Sequence, residues 1–400
     1  MTNEPPTHRL IVNALPLLGN LTGVGQMTAA ICRELEAREG FDVAFRTAER
    51  TYPSMAEIGM PEPRPGLDWK DIAHSILHRT PFKHQIKKGI ALVKPRPRPD
   101  AAPGPTEEIY DSYWEPNFIP LSKIVATRVV TTVHDMSWSE HPEWHPRDRA
   151  TYFADNFFKQ IELSDIVVAV SGFTRDRFLD SQTQIGPDRV RVIPNGVDLS
   201  IFRSCDELEI RSFRTQFELP GDFILCVGSI EPRKNLLRLL DAFSILPENI
   251  RNAYPLVLVG DSGWKNQEVR ERVNKMGKAV RVIPYIENTE DLVRIYSAAT
   301  LFVYPSLYEG FGMPPLEAMA CGTPVCLSDI PVFQEIYPPK TARFVDPLSP
   351  ESIAAGLEQM LENRDDCEQQ RAAGLELARS YGWAHAAEAY ANLFEELRQG

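Results

Sequence analysis

No stretch of the chain approaches the roughly 20 apolar residues that a membrane-spanning helix needs, and no cysteines are spaced as C-x-x-C or with histidine as in a metal site. The six cysteines, at 32, 205, 226, 321, 326 and 367, are scattered. That pattern fits a reducing compartment rather than a disulfide scaffold. G-x-G-x-x-G, the P-loop, G-x-S-x-G and H-E-x-x-H are all missing, as is any Asp-x-Asp pair. Their absence removes the dinucleotide fingerprint, P-loop phosphate binding and the common hydrolase chemistries. It also removes the carboxylate cage expected of a divalent metal on a diphosphate, so metal-independent chemistry without a cofactor is expected. Positive charge is short as well: 43 Lys and Arg face 55 Asp and Glu, a net charge of -12. Such a field repels polyanions and argues against a nucleic-acid partner. The opening, MTNEPPTHRLIVNALPLLGN, lacks the basic start and cleavage site of a secretion signal, so the expectation is a cytoplasmic protein whose membrane contact is at most peripheral.

What is present alternates between two periodicities. RLIVNAL reads as a buried strand, QMTAAICRELEARE as a helix with Met27, Ile31 and Leu35 on one face, and FDVAF as the next strand. Strands VVTTVHD, IVVAVS and VRVIPN follow, with PRDRATYFADNFFKQIEL as a helix between the first two. A second series starts near residue 222 with FILCVGS, NLLRLLDAFSIL, LVLVGD, AVRVIPY, LFVYPS, PLEAMACG and PVCLSD. Strand–helix alternation of this kind predicts α/β architecture: two Rossmann-like, doubly wound domains facing a cleft. With 400 residues, two domains are expected. Their bounds are taken as 1–205 and 206–380, joined by a polar crossing at 199–220. Residues 381–400 form a helix packing back on the first domain. Residues 49–108 are dense in proline and read as an insertion. From Arg79 to Arg98 it carries seven cations and no acid. This run is either a solvated loop or a contact for anionic headgroups or a phosphorylated acceptor.

Three strand-to-helix turns carry candidate chemistry. In YPSLYEGFGMPPLEAMACGTPV, Pro314 and Pro315 suit a first helical turn, and Gly310 and Gly312 allow backbone N–H groups to approach a ligand. Glu309 and Glu317 would flank that crevice, one toward sugar hydroxyls and one toward a ribose diol; the bland alternative is helix-dipole complementarity. In CVGSIEPRKNLLRLL, Gly228 and Ser229 follow a strand, Asn235 is placed to cap the next helix, and Arg233 and Lys234 stand just before it. Cations there oppose the dipole unless an anion sits between them, or they are simply solvated. Gly23 and Gly25 precede the first helix. Converging turns of this kind imply a diphosphate-bearing ligand in the cleft.

Taken together, EGFGMPPLE with its E-x7-E spacing, AMACGTPV, GSIEPRKN, VIPNGVD and the early GVG resemble the family 4 retaining glycosyltransferases of the GT-B type. The likeness runs nearly end to end, residues 49–108 excepted. It implies a C-terminal domain that holds a nucleotide-sugar donor and an N-terminal domain that holds a saccharide or lipid-linked acceptor. It also implies that Arg233 and Lys234 grip the diphosphate, that Glu317 binds ribose and that Glu309 contacts the donor sugar. Gly310, Phe311, Gly312, Met313 and Pro314 would lie beside sugar and phosphate. His134 falls where similar enzymes place a histidine near the donor sugar. HDMSWSEHPEWHP, with His141 and His145, is most like bacterial mannosyl- and rhamnosyltransferases of polysaccharide assembly, which points to a GDP-linked hexose. Where relatives carry Gly beside the base, this chain has Pro284. Rival readings are a UDP-sugar-dependent transferase, a nucleotide-sugar epimerase and a non-catalytic sugar-nucleotide scaffold.

Overall fold

A computed structural model describes residues 7–18, 23–47, 50–58, 109–121, 124–260, 263–264, 266–286 and 288–399. The basic run from Arg79 to Arg98 lies outside them. Among the described residues thirteen strands form two sheets, as the strand–helix alternation predicts. The first contains β1 (His8–Asn13), β2 (Phe41–Arg46), β3 (Thr51–Tyr52), β4 (Tyr110–Glu115), β5 (Ala126–Val133), β6 (Ile166–Ala169) and β7 (Val190–Val192), in the order β3-β2-β1-β4-β5-β6-β7. The second contains β8 (Ile224–Val227), β9 (Leu256–Val259), β10 (Val280–Ile283), β11 (Leu301–Tyr304), β12 (Val325–Ser328) and β13 (Arg343–Val345), in the order β10-β9-β8-β11-β12-β13. All pairings are parallel except β2 with β3. Strand order reverses between β1 and β4 in one sheet and between β8 and β11 in the other, and crevices for ligands open at those points in doubly wound sheets.

Two of the elements that escaped the sequence reading are β4 and the helix Glu207–Gln216. β4 follows directly on the proline-dense stretch, and its YDSYWE carries Asp111, Ser112 and Glu115 with no clean alternation, yet it is central and mostly buried. The segment 199–220, read as a polar crossing, holds the helix Glu207–Gln216. Asp206 and Glu209 close a reciprocal capping box at its start.

The helix Trp383–Gln399 completes the core of the first lobe. Its Trp383, Ala387, Tyr390 and Phe394 are buried with Leu10 and Val12 of β1 and Val130 of β5. Tyr390 also shares a hydroxyl hydrogen bond of 2.7 Å with Thr132 on β5. The chain crosses between lobes twice, and the two crossings touch: the Val197 amide donates to the Tyr381 carbonyl at 2.7 Å. Among the described residues no helix is long and apolar enough to cross a membrane.

Candidate active site between the lobes

The central feature lies at the switch point of the second sheet. The turn after β8 runs through Pro232–Lys234, a short 3-10 helix, and the loop after β11 brings Glu309 against it. One Glu309 oxygen accepts from Arg233 at 2.6 Å and the other from the Lys234 ammonium at 2.6 Å. Arg233 is held further by Glu231, at 2.9 Å, and by the Tyr308 carbonyl, at 3.1 Å. Lys234 also donates to the Tyr304 hydroxyl. The anion that the sequence demanded between these cations is thus supplied by the protein itself. Burial alone would raise the Glu309 carboxyl, but Arg233 and Lys234 overcome it and hold the group at about 2. Burial and the neighbouring Arg233 together lower Lys234.

Asn235 differs from its expected role. It sits at the N-cap with φ 59° but makes no side-chain cap; its amide donates instead to the carbonyls of Pro305, at 3.0 Å, and Pro347, at 2.6 Å. Asparagine tolerates this left-handed backbone better than most residues. Gly228 and Ser229 follow β8 as expected, Ser229 exposed.

The helix Met313–Ala320 starts with Pro314 and Pro315 in its first turn. Gly312 just before it has φ 90°, and its carbonyl accepts from the Tyr337 hydroxyl at 2.6 Å. Glu317 points into the same lobe but makes no contact with the Glu309 cluster; its oxygen accepts from Tyr296 at 2.8 Å. Burial raises the Glu317 carboxyl to about 7, against the Tyr296 hydrogen bond, which lowers it. Phe311 turns its ring into the core of the second lobe, against Tyr381.

The first lobe meets this turn through His134, one residue past β5. The Gly310 Cα packs so tightly on it that a Cβ there would stand 1.6 Å from the His134 carbonyl oxygen. The Gly310 carbonyl accepts from Ser171, at 2.6 Å, and Thr174, at 3.1 Å, at the start of the helix Gly172–Leu179. Glu335 of the second lobe caps that same helix, accepting from the Gly172 and Phe173 amides at 2.6 and 2.7 Å. The His134 ring donates from Nε2 to the Pro116 carbonyl at 2.7 Å, and burial lowers its pKa, which favours the neutral imidazole. His145 is buried against Ser137, while His141 stacks on Trp144 at 3.8 Å. Gly23 and Gly25 open the first helix, Gly23–Ala37, rather than precede it, and the Met313 methyl packs over Gly23.

The structure therefore gathers Arg233, Lys234 and Glu309 in direct contact, sets Gly310 against His134, and places Glu317 on a separate partner. Sequence reasoning missed Glu231, Tyr296, Ser171 and Glu335. Of these, Glu231, two residues before Arg233, lay within a segment singled out for its chemistry, and Ser171 ended IVVAVS, read only as a strand.

Both lobes match known families. A profile described as glycosyltransferase family 4 matches residues 21–201, and one described as glycosyl transferases group 1 matches residues 209–376. The O-antigen chain mannosyltransferase B of Escherichia coli is 29% identical over 97% of this chain and 100% of that protein. The serotype-specific mannosyltransferase WbdA of Escherichia coli is 31% identical over 62% of this chain, and the match spans 31% of WbdA. Among solved structures, sucrose-phosphate synthase from Thermosynechococcus elongatus covers 98% of this chain and 99% of its own at 19% identity, with a TM-score of 0.67. That likeness concerns the fold, which is GT-B.

Proposed function

The chain belongs to glycosyltransferase family 4, and from that premise we propose that it moves a mannose-type hexose from a GDP-linked donor to a hydroxyl of a saccharide or lipid-linked glycan, with retention at the anomeric carbon. The observation that carries this reading is the Arg233–Glu309–Lys234 cluster at the switch point of the second sheet. A buried pair of cations held around one carboxylate is a site where a diphosphate competes for the same donors. When the diphosphate takes them, Glu309 is released to accept from sugar hydroxyls. The names of the mannosyltransferase relatives support the choice of sugar and an acceptor of the O-antigen kind.

In the proposed step, the bond from the anomeric carbon to the β-phosphate oxygen breaks as the acceptor oxygen bonds to that carbon on the same face. The acceptor proton passes to the departing phosphate oxygen. Arg233 and Lys234 stabilise the charge that grows on that phosphate, where fixed cations in a water-poor cleft act most strongly. His134, neutral and fixed through Nε2, leaves Nδ1 as an acceptor for orienting the sugar.

Glu317 gives the ribose contact a pH dependence. A carboxyl raised to about 7 favours the folded free enzyme when protonated, whereas two ribose hydroxyls are donors and call for the ionised form. Donor affinity is expected to strengthen about tenfold between pH 6 and pH 8, and Glu317→Gln should bind more weakly with that slope flattened. Calorimetric titration of the nucleotide across this range checks it; a wild-type affinity flat with pH would remove Glu317 from the ribose site.

Incubation with GDP- and UDP-linked hexoses and lipid-linked acceptors, followed by product analysis, tests the reaction. Transfer with an α-linked product from an α-linked GDP-mannose supports the reading. Isomerised donor without acceptor indicates an epimerase, and binding without turnover indicates a scaffold.

A further inference from the structure

The buried Glu115 at the end of β4 has no part in the cluster described above, and its surroundings are unusually one-sided. Three groups donate to it: Asn117 N–H at 2.9 Å to Oε1, and Asn13 Nδ2 at 2.7 Å and the Tyr113 hydroxyl at 2.6 Å to Oε2. None of the three can turn round. The first is backbone. Asn13 must present Nδ2 because its Oδ1 accepts from the Leu15 amide at 3.0 Å. The Tyr113 oxygen accepts from the Leu121 amide at 3.0 Å, which directs its proton to Glu115. A set made only of donors is matched by a group that only accepts, and among side chains that is a carboxylate. The substitution Glu115→Gln would set an N–H group against one of these donors.

The bond from Asn117 to Oε1 closes a tight turn around Pro116. The Pro116 carbonyl is thereby aimed at His134 Nε2, 2.7 Å away. A carbonyl has no proton to give, so the ring donates from Nε2 and keeps its lone pair on Nδ1. Two residues after Pro116, Phe118 has φ 63°, donates its amide to the Thr132 carbonyl on β5 at 3.0 Å, and sets its ring edge-on to the His134 ring at 5.4 Å. Residues 115–118 are thus a strap whose one ionisable fastening is Glu115.

We propose that Glu115 is a positioning residue of the transfer site, holding His134 in the Nε2–H tautomer and in one orientation through the Pro116 carbonyl. The inference rests on the reading that His134 orients the donor sugar. Burial raises the Glu115 carboxyl to about 8 while its three donors pull it down, so the donor set is what favours the acceptor-only form, and loss of any one donor favours the protonated one.

The experiment compares Glu115→Gln, Tyr113→Phe and His134→Ala with the wild type. It uses steady-state transfer from GDP-mannose or whichever donor the panel identifies, and nitrogen NMR of histidine-labelled protein. Expected for Glu115→Gln are a kcat at least about tenfold lower, a donor KM within about threefold of wild type, and His134 ring signals displaced from the Nε2–H pattern. Tyr113→Phe should change both in the same direction by about threefold, and it decides the matter alone if Glu115→Gln does not fold. A kcat within twofold of wild type, or a fall in kcat with unchanged His134 signals, overturns the proposal. If His134→Ala turns over at the wild-type rate, the reading beneath it fails as well; if His134→Ala is inactive while Glu115→Gln is not impaired, only the role of Glu115 fails.

Discussion

Replacing Gly310 with alanine is expected to lower kcat/KM by at least about a hundredfold while leaving nucleotide affinity within about threefold of wild type. A methyl group there would stand 1.6 Å from the His134 carbonyl oxygen, and that oxygen is backbone with no rotamer to give way. The strain is relieved only by separating the lobes. Separation lengthens the bonds from Ser171 and Thr174 to the Gly310 carbonyl and draws His134 away from the donor; misplacement of about 1 Å is enough to cost two orders of magnitude. Arg233, Lys234 and Glu317 all belong to the second lobe, so the nucleotide keeps its contacts. Kinetics paired with titration of the nucleotide provide the check, and turnover within tenfold of wild type would mean that this approach is not needed for transfer.

The second large effect concerns Arg233. Arg233→Ala leaves Glu309 buried with one cation in place of two, and removing one partner of a buried ion pair destabilises by about 3–5 kcal/mol. In the wild type, Glu309 is held at about 2 against an ordinary 4.5, so its contribution is complete above 4.5 and is lost only as pH falls toward 2. The variant should lose stability at higher pH on acidification. Adding Glu309→Gln returns the cluster to net neutrality, with Lys234 left facing Glu231, and the double variant is expected to recover part of the stability. Its transfer rate should remain about a hundred- to a thousandfold down, because the cation that faces the leaving phosphate is still missing. Denaturant melts at pH 7 and pH 4 beside single-turnover assays separate the two consequences. Recovery of both together would reduce Arg233 to a structural ion pair.

What could be read in advance followed from locality. EGFGMPPLE carries its turn, helix start and both acids within nine residues, and two prolines with flanking glycines admit few backbone solutions. Arg233 and Lys234 were legible because their charge sits on the wrong side of a helix dipole, a contradiction that only an anion resolves. The identity of that anion was not legible, since Glu309 arrives from 75 residues away. Ser171 reaching Gly310 across 139 residues, and Glu335 capping a helix of the other lobe, belong to the same class. Asn235 departs from its expected role because its type suits both a side-chain cap and a left-handed turn, and only the carbonyls of Pro305 and Pro347 decide between them. The capping box at Asp206 and Glu209 was available in the sequence, but its surroundings lack the apolar rhythm that marks a core helix.

The helix Trp383–Gln399 carries a consequence for synthesis. The strands of the first lobe are complete by Val192, yet the helix that covers their apolar face begins roughly 190 residues later. At about 5–20 residues per second, the ribosome takes roughly 10–40 s to deliver it. During that interval the nascent first lobe presents an uncovered hydrophobic surface, so its maturation waits on synthesis of residues 383–399, and a polypeptide cut short before residue 383 would be a client for chaperones even with every strand of that lobe intact.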